Sequence, residues 1–439
     1  MTPPPPTGSS ARAAARLEAW SWYLVPRPVF TGGNEVELLR GGDALFPAMI
    51  AALRKARHEV WLATYIFHDD AAGLAMADAL GDAARRGVRV RVVIDGFGSN
   101  QTGRHMRERL SASGVALAVF RPLDRWTHWL QPGQLRRLHM KLCVVDGDVG
   151  FVGGINVIED RNDLRHGHGT QPRLDYAVRA TGLCVEHMEQ AVRAVWSRAW
   201  FGRDWRSEAL ALLRAPRRLS GLRALWQQLR IARRKPGVPV ELDTTLAAVR
   251  AAFVVRDNLR QRRTIERAYI NAIRGARERV LLITPYFYPG TEFRHALCQA
   301  ARRGVEVHLV LQGKVDYRVA ALAARVLYHE LLVHGVHVHE YLPAFLHAKV
   351  GVVDDDWATV GSSNIDPLSL LLNLEANMLV RDAPFAQALA REIEGAIHAS
   401  QEILDAQAPL RGVAGWLGRA AVAWGAYVYL RLAGVTGRY

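Results

Sequence analysis

Two stretches of the chain carry the same three polar residues at the same spacing: His139, Lys141 and Asp146, then His347, Lys349 and Asp354. Each follows the pattern His-x-Lys-x(4)-Asp. Exchange at a phosphodiester needs a nucleophile, an acid for the leaving alkoxide, and positive charge around the non-bridging oxygens. Two imidazoles and two ammonium groups supply all three without a metal or any other cofactor. One histidine would attack phosphorus to give a phosphohistidine. The other would protonate the departing alcohol and then deprotonate the incoming alcohol or water. The likeness of the two copies leaves open which does which, and both must face one shared pocket.

The residues around each motif fit that chemistry. A strand alternates its side chains between faces, so His139 and Lys141 project together while Met140, Leu142 and Val144 point the other way. Asp146-Gly147 reads as a tight hairpin turn, and Asp354-Asp355-Asp356 occupies the same place in the second copy. Behind each hairpin comes a corner of small residues with an asparagine: Gly153-Gly154-Ile155-Asn156, and Gly361-Ser362-Ser363-Asn364. There Asn156, Ser362 and Asn364 would offer amide or hydroxyl donors to an oxyanion. A nucleophilic imidazole also needs an orienting acceptor on its second nitrogen. Asp175 and Glu375, at matched places downstream of the two motifs, are the candidates.

Of the 57 basic residues only five are lysine (Lys55, Lys141, Lys235, Lys314 and Lys349), which leaves 52 arginines. Two of the five share one motif position, the mark of a site that needs a compact charge and not a planar fork. The net charge of +15 favours a polyanionic partner, either nucleic acid or an anionic membrane surface. Cys143, Cys184 and Cys298 show neither paired nor metal-ligand spacing, so no disulfide framework and no metal site is expected. No apolar run reaches the roughly 18 residues of a membrane span. The Pro-rich start of the chain reads as a disordered tail and not as a secretory signal.

An internal repeat must position these groups. His58-Glu59-Val60-Trp61-Leu62-Ala63-Thr64-Tyr65-Ile66-Phe67 is matched by Glu278-Arg279-Val280-Leu281-Leu282-Ile283-Thr284-Pro285-Tyr286-Phe287. Each leads through a helical pattern to Arg-Arg-Gly-Val, at 85–88 and 302–305, and a further strand, which makes a βαβ unit. A second matched pair, 114–120 and 335–341, precedes the two motifs. The fold class expected is α/β, with two homologous lobes, each a mixed, mainly parallel sheet flanked by helices, forming a pseudo-dimer around one active site. The expected division is a tail over 1–34, lobes over 35–200 and 256–400, a basic helical connector over 201–255, and a C-terminal helical tail over 401–439. Nine arginines and Lys235 lie between Gly202 and Pro236, with Leu219, Leu222, Trp226 and Leu229 at helical spacing. Both this segment and the tail, with Trp424, Tyr427 and Tyr429, suit a membrane interface.

The paired motifs resemble the phospholipase D superfamily, over roughly residues 35 to 400. Within it, Tyr65-Ile66-Phe67-His68-Asp69-Asp70, Gly361 through Ser369 and Leu372 through Asn377 are similar to bacterial cardiolipin synthases. Pro367-Leu368-Ser369 favours the B type, which lacks the N-terminal transmembrane helices of the main type. The resemblance implies transfer of a phosphatidyl group from one phosphatidylglycerol to another, releasing glycerol, at the cytoplasmic face of the cell membrane as a peripheral protein. It implies that His139 attacks, that His347 is the acid and base, and that Asp146 and Asp354 are structural supports. A phosphodiesterase acting on nucleic acid is the alternative enzyme. Against it, the aromatic residues cluster in the tail and at Trp126 to Trp129 and do not form a base-stacking platform, so no stable nucleic acid partner is expected. The completeness of both motifs argues against an inert membrane-binding protein. The internal repeat already supplies a dimer-like site, so oligomeric state stays open.

Overall fold

A computed structural model describes residues 23, 25–99, 103–122, 136–163, 167–201, 249–257, 261–314, 318–366, 369–370 and 373–404. The N-terminal tail, the Trp126 to Trp129 cluster, the Gly202 to Pro236 connector, Pro367, Leu368, Leu372 and the aromatic C-terminal tail lie outside them.

The first half runs β1 (Thr31–Arg40), α1 (Gly41–Lys55), β2 (Glu59–Thr64), α2 (Ala71–Arg85), β3 (Arg89–Asp95), α3 (Gly103–Ala112) and β4 (Ala116–Phe120). A hairpin of β5 (Lys141–Val145) and β6 (Val149–Gly153) follows, then the short β7 (Asn162–Asp163) and β8 (Gly167–His168), β9 (Tyr176–Thr181) and α4 (Cys184–Phe201). The second half repeats the order with β10 (Val249–Arg256), α5 (Thr264–Gly275), β11 (Arg279–Ile283), α6 (Thr291–Arg302), β12 (Glu306–Gln312), α7 (Arg318–Val333) and β13 (His337–Tyr341). It closes with the hairpin β14 (Val350–Val353) and β15 (Trp357–Gly361), then β16 (Glu375–Arg381), α8 (Ala383–His398) and β17 (Ser400–Glu402). Two boundaries shift from expectation. β1 begins inside the span assigned to the tail, where Thr31 and Asn34 pair with β10, and β10 inside the span assigned to the connector, where Ala251 through Val255 are buried apolar residues.

All but β7 and β8 join one 15-stranded sheet, in the order β17-β13-β12-β11-β14-β15-β16-β10-β1-β9-β6-β5-β2-β3-β4. Read outward from the β10–β1 seam, seven strands of each half follow in the same order of equivalents, and the second half adds β17 at its edge. The βαβ units give parallel pairing of β2–β3–β4 and of β11–β12–β13. The hairpins between them pair antiparallel, as a short turn requires. Local chemistry sets the helix ends. Asp70 and Asp382 accept from Gly73 N and Phe385 N, each at 3.0 Å, as N-caps of α2 and α8. Gly87 and Gly304, at φ +89° and +88°, take the left-handed conformation just past α2 and α6.

One apolar core spans both halves on one face of the sheet, under α4 and α8. It takes Leu138, Met140, Leu142 and Val144 from the first motif segment and Leu346, Ala348, Val350 and Val352 from the second. On the opposite face each half has its own core, beneath α1–α3 and α5–α7 respectively. Among the described residues no helix is long and apolar enough to cross a membrane.

Candidate active site

The alternation expected of the motif strands holds. Every second residue from Leu138 to Val144 enters the shared core, whereas Cys143 and Val145 face the first half's own core. Regular pairing starts only at Lys141 in β5 and Val350 in β14. The residues just before those strands are paired across the seam. His139 N donates to Leu374 O at 3.0 Å, and Leu374 N to Arg137 O at 2.8 Å. In the mirror arrangement His347 N donates to Leu174 O and Leu174 N to Phe345 O, both at 2.9 Å.

This stitching brings each histidine to the carboxylate of the opposite half. His139 Nδ1 lies 3.0 Å from both oxygens of Glu375, and His347 Nδ1 lies 2.6 Å from Asp175 Oδ2. With Nδ1 so engaged, Nε2 of each ring is the atom left for a substrate. Lys141 Nζ donates to His139 O at 2.7 Å, and Lys349 Nζ donates to His347 O. Both lysines are buried. The histidines and lysines of the two motifs and the two candidate carboxylates therefore form one cluster, and neither half is complete without the other.

Burial governs the protonation of this cluster. It lowers His139, with Glu375 opposing, and lowers His347 further, with Lys349 and Arg173 adding to the effect. It brings Lys141 down to about 7 and Lys349 to about 8, although Glu375 and Asp175 attract their charges. Asp175 is pushed up to about 7 by burial, against the pull of Lys349 and the Tyr176 amide. Burial works the same way on Glu375, but His139, Lys141 and the Ser362 hydroxyl together hold it below the usual carboxylate range.

The remaining expected residues divide into two groups. Ser362 Oγ donates to Glu375 Oε2 at 2.6 Å and accepts from Ala376 N at 3.0 Å. Asn156 Oδ1 accepts from Ile66 N at 3.3 Å, and Asn364 Oδ1 is buried with no hydrogen-bond partner among the described residues. Asp146 and Asp354 stand apart from the histidines, in the hairpin turns. Asp146 accepts from Arg57, His58 and Glu59 N at 2.7–2.8 Å, and Asp354 from Arg277, Glu278 and Arg279 N at 2.9–3.2 Å. No group of histidine, cysteine and carboxylate side chains suited to a metal occurs among the described residues.

Some contributors went unnoticed in the sequence. Asp95, fully buried at the end of β3, accepts from Leu138 N at 2.9 Å, and Gln312 at the end of β12 accepts from Leu346 N at 2.8 Å. These two pin the entry to each motif strand. Both lie eight positions after the repeat glycines Gly87 and Gly304, so aligning the repeats would have found them. The Tyr65 ring meets the His139 ring edge-on at 5.2 Å, and Lys141 Nζ lies 5.6 Å from its centroid.

Comparison with known proteins bears on the family and the fold. The family model described as "Cardiolipin synthase, PLD-like domain" matches residues 49–167 and 269–397, one match to each half. Cardiolipin synthase B of Escherichia coli K12 is 35% identical over 378 residues, covering 85% of this chain and 83% of that protein. Cardiolipin synthase B of Salmonella typhimurium LT2 is 36% identical over 371 residues, covering 83% and 81%. Among solved structures, phosphatidylserine synthase of Haemophilus influenzae Rd KW20 superposes with a TM-score of 0.63 at 14% identity, covering 97% of this chain and all of that one. At that identity the likeness extends to the fold alone.

Proposed function

Since the chain belongs to the phospholipase D-like family of cardiolipin synthases, we propose that it joins two phosphatidylglycerol molecules into cardiolipin and releases glycerol. Its class follows from the family: a phosphatidyltransferase of the phospholipase D superfamily. The single observation that carries the mechanism is the crossed pairing of His139 with Glu375 and His347 with Asp175.

His139 Nε2 attacks phosphorus of the first lipid and forms a phosphohistidine, an assignment taken from the resemblance of its motif to the first motif of relatives. Lys141 and Lys349 stabilise the charge on the non-bridging oxygens. His347 protonates the departing glycerol, then takes the proton of the second lipid's hydroxyl as that oxygen attacks the phosphohistidine. Asn156 and Asn364 line the corners behind the two hairpins, and Asp146 and Asp354 support the strands. The net charge of +15 favours an anionic membrane surface, and we assign the protein to the cytoplasmic face of the cell membrane as a peripheral enzyme.

Incubation of the purified enzyme with phosphatidylglycerol, followed by mass spectrometry of the lipids, tests this reading. Cardiolipin and glycerol should appear together. His139→Ala and His347→Ala should each lower the rate by roughly 10³-fold or more. Full activity in either variant would refute a shared site.

A further inference from the structure

The two halves of the site differ in what surrounds their carboxylates. Glu375 in β16 pairs directly across from Arg256 in β10, so their side chains share a face, and both are buried. Arg256 donates from Nε to Leu370 O at 3.3 Å and from Nη1 to Asn373 O, in the segment that leads into Glu375. Ser362 donates its hydroxyl to the same carboxylate. The groups facing Glu375 are thus His139, Lys141, Lys349, Arg256 and Ser362, all of them donors or cations.

The equivalent places around Asp175 are filled otherwise. Arg40 pairs with Tyr176 as Val255 pairs with Ala376, so Gly41 stands where Arg256 stands in the other half. A Cβ at Gly41 would lie 2.7 Å from Asp160 Oδ2, so a carboxylate occupies the space that the missing side chain leaves. Gly154 takes the place of Ser362. A Cβ there would lie 2.2 Å from Asp175 Oδ1, which leaves no room for a hydroxyl donor. Asp175 keeps the Tyr176 amide at 2.8 Å, has Lys349, Arg173 and Lys141 as cationic neighbours, and faces Asp160 as a like charge.

We propose that the two carboxylates rest in opposite protonation states and thereby fix opposite tautomers on the two histidines. Glu375 is ionised and accepts the Nδ1 proton of His139, which frees the Nε2 lone pair for phosphorus. Asp175 carries a proton and donates it to Nδ1 of His347, which places hydrogen on Nε2 for the departing oxygen. The inference rests on the reading of His139 as nucleophile and His347 as acid, and it supplies the physical reason for that division. Both carboxylates are within hydrogen-bond reach of the ring they orient, Asp175 Oδ2 at 2.6 Å and Glu375 Oε2 at 3.0 Å, so each can hold one tautomer of its histidine. Burial raises Asp175 to about 7, whereas its surroundings keep Glu375 low, in the same sense.

The proton and electron count closes. The Nε2 pair of His139 forms the N–P bond as the P–O bond to glycerol breaks and its electrons stay on oxygen. That oxygen takes the Nε2 proton of His347, and the Asp175 proton moves to Nδ1. Glu375 then faces the positive charge of the phosphorylated His139 ring, and Asp175 is left ionised. Attack by the second lipid's hydroxyl reverses each movement and returns the N–P pair to His139.

A change of leaving group tests the inference. Phosphatidyl-p-nitrophenol releases a phenolate that needs no proton, so its burst reports attack alone. Asp175→Asn, whose amide can keep hydrogen on Nε2 of His347 but cannot pass a proton to Nδ1, should lose transfer from phosphatidylglycerol by about 10³-fold yet keep the nitrophenol burst within about tenfold of the unaltered enzyme. Glu375→Gln, whose amide can donate to Nδ1 and force hydrogen onto Nε2 of His139, should lose both. A retained burst also reports that the Asp175→Asn site is folded. Should that variant fail to fold, Asp160→Asn should selectively weaken transfer from phosphatidylglycerol, since removing the like charge lets Asp175 ionise. Equal responses of Asp175→Asn and Glu375→Gln to the leaving group would overturn the inference, as would an Asp160→Asn enzyme unchanged on both substrates. The same assay on His139→Ala and His347→Ala separates the two ideas. A burst kept by His139→Ala and lost by His347→Ala sinks the assignment of roles, whereas the converse with equal carboxylate variants sinks only the protonation states.

Discussion

The two buried lysines place a pH limit on anion binding. An ammonium that gives up its hydration to enter a closed site loses its proton more readily, and Lys141 and Lys349 come down to about 7 and about 8. The protonated form binds an oxyanion and the neutral amine does not. Each lysine is therefore fully charged below its value, and its attraction is lost as pH rises through it. Tungstate, a tetrahedral dianion, should inhibit phosphatidyl transfer best below about pH 7, and its inhibition constant should rise by up to about tenfold per unit for each proton lost. Inhibition that stays flat to about pH 9 would take both lysines out of the anion site. The same burial explains the preference for lysine in a chain of 52 arginines. Each ammonium already spends one donor on the carbonyl of its own histidine. A guanidinium would bring five N–H groups into a space with few acceptors.

The hairpin is the element that keeps histidine and lysine in register, and the third motif residue is its anchor. Asp146 and Asp354 adopt φ of 53° and 50°, left-handed values that aspartate tolerates at a tight turn. Their carboxylates gather the amides of 57–59 and 277–279, tying each turn to the start of the neighbouring strand, β2 or β11. Asp146→Ala should cost about 1–2 kcal/mol of stability, because partly exposed amides regain water, and Asp146→Asn should cost less. The thermal midpoint should fall while the rate per folded molecule stays near normal. Loss of transfer at an unchanged midpoint would instead put Asp146 in the chemistry. Much at this scale was legible in the sequence: the paired motifs, the turns, the small-residue corners and both orienting carboxylates. The crossing of partners was not, since it follows from Leu138–Leu374 and Leu174–Leu346 contacts that local periodicity does not report. Arg256 escaped notice because, beside a span rich in arginine, it reads as one more surface charge. Only the register of β10 against β16 shows it buried opposite Glu375.

For the whole molecule, the shared core decides how far the two halves are separable. Each half has a private core on one face, which is what a self-standing domain would have. On the other face α4 and α8 cover apolar residues drawn from both halves, including both motif segments. Splitting the halves would bare that surface to water, at a cost that scales with its area. It would also leave each histidine without the carboxylate that orients it. We place the division in 202–248, between the end of α4 and β10. Each half expressed alone should therefore aggregate and show no transfer. A chain with a protease site inserted in that segment should behave otherwise once cut. Its halves should co-elute on size exclusion and keep most of the phosphatidyl transfer, because the shared core and the crossed strands already join the two halves at the site. Separation of the cut halves without denaturant would show that the seam is too weak to define one site, and activity in either isolated half would show that the carboxylates need not cross.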